Sequence, residues 1–185
     1  MEDILQHVME FARTAHGDQR RKFVDEPYIN HPVRVMRICR EYSGDILLLS
    51  TALLHDVLED TETKREAVSD FLQSVMSPAE ANRTLLLVLE LTDIYTKKNY
   101  PRLNRRQRKQ KEATRLSLAE SDSQTIKYAD IIDNSLDVAK AETDFVLVYL
   151  KECAALLKQM DKGHPELRKR AMETVAQCIA EQKQM

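Results

Sequence analysis

The chain has 185 residues and a formal net charge of −2, with 43% hydrophobic and 31% charged residues but only 3 Gly and 5 Pro. That length accommodates one domain with a sizeable core, and the scarcity of turn formers points to long helices with short connections, an all-α fold. The near-balanced charge excludes a global pull toward nucleic acid, so any phosphate-binding surface has to be local.

Cys39, Cys153 and Cys178 are odd in number, widely spaced and each inside an apolar-periodic segment. They read as core thiols rather than bridges or metal ligands, which suits a reducing cytoplasm. The opening Met1-Glu2-Asp3-Ile4-Leu5 lacks the basic and apolar regions of a leader, and no later apolar run reaches membrane-spanning length. A soluble cytoplasmic protein with no membrane partner is expected.

Ile4, Leu5, Val8, Phe11, Ala12 and Ala15 recur at helical spacing and predict a first helix ending near His16-Gly17. A basic run, Gln19-Arg20-Arg21-Lys22, leads into an irregular segment through Asn30, and His31-Pro32 opens a second helix. After Ser43-Gly44-Asp45 a third helix is predicted over Ile46 to Leu58. Ala67, Val68, Phe71, Leu72 and Val75 mark a fourth, and Ser77-Pro78-Ala79-Glu80 has the residues of a capping box that starts a fifth helix through Leu91. Thr92 to Leu103 reads as a loop, Asn104 to Ala119 as a basic helix with little apolar content, and Thr125 to Ala141 as an apolar-periodic helix. Phe145 to Met160 and Leu167 to Ile179 complete the set as bundle packing. There is no internal repeat, low-complexity tract or linker. The expected architecture is a single-domain multi-helix bundle over 1–185, its motif-bearing part ending at about residue 160.

Chemistry concentrates in Leu53-Leu54-His55-Asp56-Val57-Leu58-Glu59-Asp60. On a helix, His55 and Glu59 stand one turn apart, as do Asp56 and Asp60, so four ionisable groups form one wedge among Leu and Val. Charge in such a setting needs compensation, from a buried ion-pair network or from a divalent cation. The second carboxylate pair favours the cation, because hydrolysis needs a group to handle protons beside the ligands. Lys127, Asp130 and Asn134 share a second helical face. A bundle that brought His31, His55, Asp56 and Asp130 to one ion would offer mixed nitrogen and oxygen ligation, which suits Mn²⁺ or a similar ion better than a structural zinc.

These residues carry a resemblance. His31, His55-Asp56 and Asp130 match the ligand pattern of the HD-domain phosphohydrolases. Gln19-Arg20-Arg21-Lys22, Pro27-Tyr28-Ile29-Asn30-His31-Pro32, Ala52 through Thr61 and Lys127-Tyr128-Ala129-Asp130 with Asn134 are similar to the hydrolase domain of RelA/SpoT-type enzymes. With no synthetase-sized extension, the chain most resembles the stand-alone small alarmone hydrolases, which remove the 3′-pyrophosphate of ppGpp with Mn²⁺. The resemblance implies His31, His55, Asp56 and Asp130 as metal ligands, and Glu59 and Asp60 as the catalytic acidic pair. It implies Arg20, Lys22 and Asn134 as substrate contacts. The substrate partner would be a small nucleotide, and a homo-oligomer is compatible with the sequence.

The chain departs from the family pattern where Ile131 replaces the usual Arg or Lys and Asp133 the usual aromatic or His. These departures keep open another HD-type nucleotide phosphohydrolase or nucleotidase. A non-catalytic nucleotide-sensing module would call for a broken ligand or acid, and neither is broken. The cations from Lys97 to Arg115 read as a largely solvated face, with one or two of Arg105, Arg108 and Lys109 reaching the pocket; no recognition-helix motif points to sequence-specific nucleic acid. Tyr28 and Tyr100 read as packing or as platforms for a base, and His7, His16 and His164 as surface or capping residues.

Overall fold

The computed structural model describes residues 2–141, 143 and 145–184. Among these the only β-type pairing is an isolated bridge between Arg20 and Pro27; the rest of the regular structure is helical. The all-α expectation holds. The chain forms two compact units, Met1–Thr92 and Asp93–Met185.

In the first unit, α1 (Glu2–His16) buries Leu5, Val8 and Ala12 along one stripe and stops where Gly17 takes φ +50°. That left-handed conformation is open to glycine at no steric cost and closes the helix, the Gly17 N–H donating to the Arg13 carbonyl at 2.9 Å. The segment after it is irregular, as predicted, but pinned: Arg21 N–H donates to Glu26 O at 3.0 Å and Tyr28 N–H to Gln19 O at 2.8 Å. It delivers the chain into α2 (Asn30–Arg40), whose first turn carries His31 and Pro32 inward with Val35, Met36 and Cys39.

α3 (Ile46–Leu54) is the centre of this unit and packs on α1, α2 and α6. Its sequence contains no charge, every residue from Leu48 to Leu54 is buried, and Asp45 caps it by accepting from Leu47 N–H at 2.8 Å. The predicted helix through Leu58 is corrected here. α3 ends at Leu54, His55 and Asp56 form a turn, and a single helical turn, α4 (Val57–Asp60), follows. The cause is local. His55 Nδ1 lies 2.8 Å from Ala52 O, so a side chain engages the carbonyl that would otherwise receive the Asp56 N–H. α5 (Arg65–Val75) and α6 (Pro78–Leu91) complete the unit, Phe11 of α1 stacking on Phe71 of α5 at 4.1 Å. The Ser77–Glu80 capping box of α6 forms as its sequence predicts.

In the second unit, α8 (Ser121–Val138), α9 (Phe145–Gln159) and α10 (Pro165–Gln182) pack on one another, α7 (Arg105–Leu118) packs on α9, and α8 is buried along most of its length. α8 starts four residues before the predicted Thr125, because its polar first turn, with Asp122 at the positive end of the helix dipole, carries no apolar periodicity. Buried Gln124 ties the unit together. Its Nε2 donates to Leu116 O at 3.0 Å, while its Oε1 accepts from Lys162 N–H at 2.9 Å. Buried Glu112 pins the loop before α7, accepting from Ile94 N–H at 2.6 Å and Tyr95 N–H at 2.5 Å. The three cysteines are buried thiols outside any disulfide, as expected, and burial pushes the Cys153 thiol up to about 11, which keeps it unreactive.

Candidate metal centre

The break between α3 and α4 shapes the centre. His31, on the first turn of α2, is fully buried, and His55, at the end of α3, is 2% exposed. Both aim Nε2 at the same carboxylate: His31 Nε2 lies 3.3 Å from Asp56 Oδ2 and His55 Nε2 3.2 Å from Asp56 Oδ1. The two rings meet edge-on, centroids 5.2 Å apart and planes at 62°. One donor atom from each of the three residues falls within 4.8 Å of the others.

The donor chemistry fits a cation. A carbonyl oxygen only accepts, so the 2.8 Å contact with Ala52 O puts the His55 proton on Nδ1 and leaves Nε2 with its lone pair. That lone pair faces a carboxylate oxygen, and two electron-rich atoms at this distance need positive charge between or on them. A divalent ion supplies it, and holding the far ring nitrogen on a backbone carbonyl is how histidine ligands are commonly oriented. The bland alternative is an imidazolium–carboxylate cluster, which would require a charged imidazole in a site with almost no solvent.

Asp56 is also met by Tyr28, whose hydroxyl donates to Asp56 Oδ2 at 2.8 Å and makes a shorter contact with Asp60 Oδ2. Burial, reinforced by the charges of Asp56 and Asp60, raises the tyrosine pKa, so the hydroxyl stays protonated. Burial and the Asp56 charge likewise raise Asp60 above the ordinary carboxylate value, Tyr28 opposing the shift. The helix breaks at Asp56, and Glu59 and Asp60 fall on the following turn, α4, as largely exposed residues rather than inside a buried wedge.

Of the other expected residues, Arg20 is exposed and forks onto Asp25, through Nε at 3.0 Å and Nη2 at 2.5 Å, and Lys22 lies over the Phe23 ring at 5.1 Å. Asp130 and Asn134 belong to the second unit. There Asp130 is buried on α8, with Lys127 Nζ at 2.7 Å and Asn134 Nδ2 donating at 2.5 Å, so the shared face read from the sequence exists. Ile131 and Asp133 are buried on the same helix. The basic helix α7, expected as a largely solvated face with one or two cations reaching the pocket, is exposed at Arg105, Arg106 and Lys109, and several of its cations have partners in the second unit. Arg105 forks onto Glu152 at 2.9 and 2.7 Å and covers Phe145, Lys109 pairs with Asp93 at 3.1 Å, and Arg108 donates to Leu103 O. Lys97, Lys98, Arg102 and Arg106 are exposed.

Two residues of the first unit were missed as parts of the centre. Tyr28 read as packing or a base platform, and His16 as a surface or capping residue. In the structure His16 is 5% exposed and stacks on Tyr28, centroids 4.5 Å apart and planes at 19°. Burial lowers its pKa. The sequence signal for Tyr28 was its place three residues before His31; for His16 there was none beyond an imidazole at the end of an amphipathic helix. His7 is exposed, as expected, and His164 stands at the N-cap position of α10 without a side-chain cap bond.

The model of the HD domain family matches residues 8–156, running through both units. The chain belongs to the HD-domain family. It is 36% identical over 132 residues to the guanosine-3′,5′-bis(diphosphate) 3′-pyrophosphohydrolases of Mus musculus and of Homo sapiens, a match covering 70% of this chain and 66% of each relative. The chain thus spans just under two thirds of the length of these curated relatives. A solved structure of a metazoan ortholog of SpoT, which hydrolyzes ppGpp and plays a role in starvation responses, superposes with a TM-score of 0.76 at 25% identity over 94% of both chains. A Listeria monocytogenes protein shares the fold, with a TM-score of 0.60 at 22% identity over 86% of this chain and 99% of that one.

Proposed function

We propose that this HD-domain protein is a metal-dependent guanosine-3′,5′-bis(diphosphate) 3′-pyrophosphohydrolase, converting ppGpp and water to GDP and pyrophosphate with Mn²⁺ as its ion. The observation that carries the reading is the His31–His55–Asp56 donor triplet, within 4.8 Å, in a chain whose relatives bear that name. His31, His55 and Asp56 would hold the ion; Asp130 as a further ligand rests on the family pattern. A divalent cation bound there would supply Lewis acidity toward a phosphoryl oxygen and lower the pKa of water.

The chain's own groups divide the remaining work. Glu59 or Asp60, at the accessible end of the centre, takes a proton from the attacking water, and the same pair returns a proton to the departing oxygen. Arg20 and Lys22 meet the substrate's phosphates, Arg20 with the fork it now offers to Asp25. Asn134 orients sugar or phosphate. The second reading, another HD-type nucleotide phosphohydrolase, is favoured by one observation: the α8 positions Ile131 and Asp133 carry no cation and are buried. Incubation of the full chain with Mn²⁺ and a panel of ppGpp, dNMPs, dNTPs and NADPH decides. Release of GDP and pyrophosphate from ppGpp is expected, and turnover of another nucleotide without it removes the alarmone substrate. No helix among the described residues is long and apolar enough to cross a membrane.

A further inference from the structure

Tyr28 is locked on several sides before its hydroxyl reaches the centre. Its N–H donates to Gln19 O at 2.8 Å, and His16 stacks on its ring. The Arg21 guanidinium lies 5.2 Å from the ring centroid, and His31 meets the ring edge-on at 6.0 Å. His16 is fixed in turn, its Nδ1 2.9 Å from Gln19 Oε1. A ring held this way delivers its hydroxyl to one place, between Asp56 Oδ2 at 2.8 Å and Asp60 Oδ2. These two aspartates are the candidate ligand and a candidate proton-handling acid, and this hydroxyl touches both.

We propose that Tyr28 is a positioning residue of the reaction: its hydroxyl orients the Asp56 carboxylate toward the cation and holds Asp60 in register with it, while His16 fixes the ring. The inference rests on the reading of His31, His55 and Asp56 as ligands and of Asp60 as an acid. Its physical basis is that a ligating carboxylate is oriented by the hydrogen bond to its second oxygen, and that loss of such a partner costs about 10–100-fold in metal affinity or activity. The single hydroxyl hydrogen is shared between the two carboxylate oxygens, which lessens their mutual repulsion and lets both stay turned toward the same point.

Tyr28→Phe separates this role from packing, since it keeps the ring and its stack. With the full chain, calorimetric titration of Mn²⁺ alone is expected to show affinity weakened about 10–100-fold. With ppGpp, kcat is expected to fall while KM stays, because the hydroxyl acts on the acid and not on the substrate. His16→Ala, which leaves the hydroxyl but removes the stack, is expected to weaken Mn²⁺ binding by a smaller factor, and it serves as the second variant if Tyr28→Phe does not fold. Mn²⁺ affinity within about twofold of wild type in both variants overturns the proposal, as does a raised KM with kcat unchanged. A wild type that binds Mn²⁺ yet leaves ppGpp intact sinks the substrate assignment alone, because the titration is read without nucleotide; a wild type that binds no Mn²⁺ overturns both.

Discussion

His55 and Asp56 are adjacent in the chain, yet their side chains turn back to face each other, Nε2 to Oδ1 at 3.2 Å, because the helix that carries them breaks between Leu54 and Val57. If this facing pair is half of a metal site, then His55→Ala and Asp56→Ala each empty it. Elemental analysis of the purified variants is expected to find no stoichiometric transition metal where the wild type carries it. Full occupancy in either variant would contradict the assignment.

Glu59 behaves differently. It stands on the exposed turn after the break, so Glu59→Gln is expected to keep the metal while kcat drops by a factor on the order of 10²–10⁴. Metal loss in this variant would make Glu59 a ligand instead.

Arg20 is expected to serve the substrate with the fork that it now gives to Asp25. Arg20→Glu should raise KM for ppGpp by roughly tenfold or more, the scale of a charge-assisted hydrogen bond of about 1.5–3 kcal/mol. Asp25→Asn should lower KM, since it frees the guanidinium. Steady-state kinetics at fixed Mn²⁺ reads both, and an unchanged KM in Arg20→Glu would place Arg20 outside the binding surface.

In the second unit, Gly163 has no room for a side chain. A Cβ there would lie 2.5 Å from the Tyr128 ring and 2.7 Å from the Thr125 backbone nitrogen, which cannot swing away as a flexible side chain would. Gly163→Ala is expected to destabilise the protein by about 1–3 kcal/mol, read as a lower urea midpoint. A midpoint equal to wild type would mean that the Lys162–His164 turn shifts at little cost.

His16 should leave a signature in acid. Burial lowers its folded pKa below the ordinary 6.5, so the unfolded chain takes up the proton first. Its contribution to stability is therefore complete above about pH 6.5 and is lost as the pH falls through the folded value. His16→Phe keeps a ring on Tyr28 and removes the titration; between about pH 7 and about pH 5 its melting temperature is expected to fall less steeply than that of wild type in the presence of a chelator. Parallel curves would assign the acid sensitivity to other groups.

Much of the fold is determined by the sequence alone, for local reasons. The amphipathic stripe of α1, the Ser77–Glu80 capping box and the charge-free run of α3 each specify their element without help from elsewhere. The HD motif and the residues around it were likewise legible as chemistry, because ionisable groups embedded in Leu and Val call for a compensating charge wherever the chain takes them. Whether the helix continues past Leu54 is also a local matter, a ring nitrogen reaching the carbonyl three residues back, but one that helical periodicity cannot see and only the folded chain shows. That choice moved Glu59 and Asp60 from a buried wedge to an accessible edge. The bond from Tyr28 to residues 28 and 32 positions away, and the burial of His16 beneath it, come from the packing of α1 and the Gln19–Tyr28 segment against the end of α3. The same holds for Arg105 of α7, which the sequence places on a largely solvated face and which the fold pairs with Glu152 and Phe145 of α9. Partners far apart along the chain leave no spacing pattern, and only their meeting in space decides which charges are used up in holding the fold and which remain for a substrate.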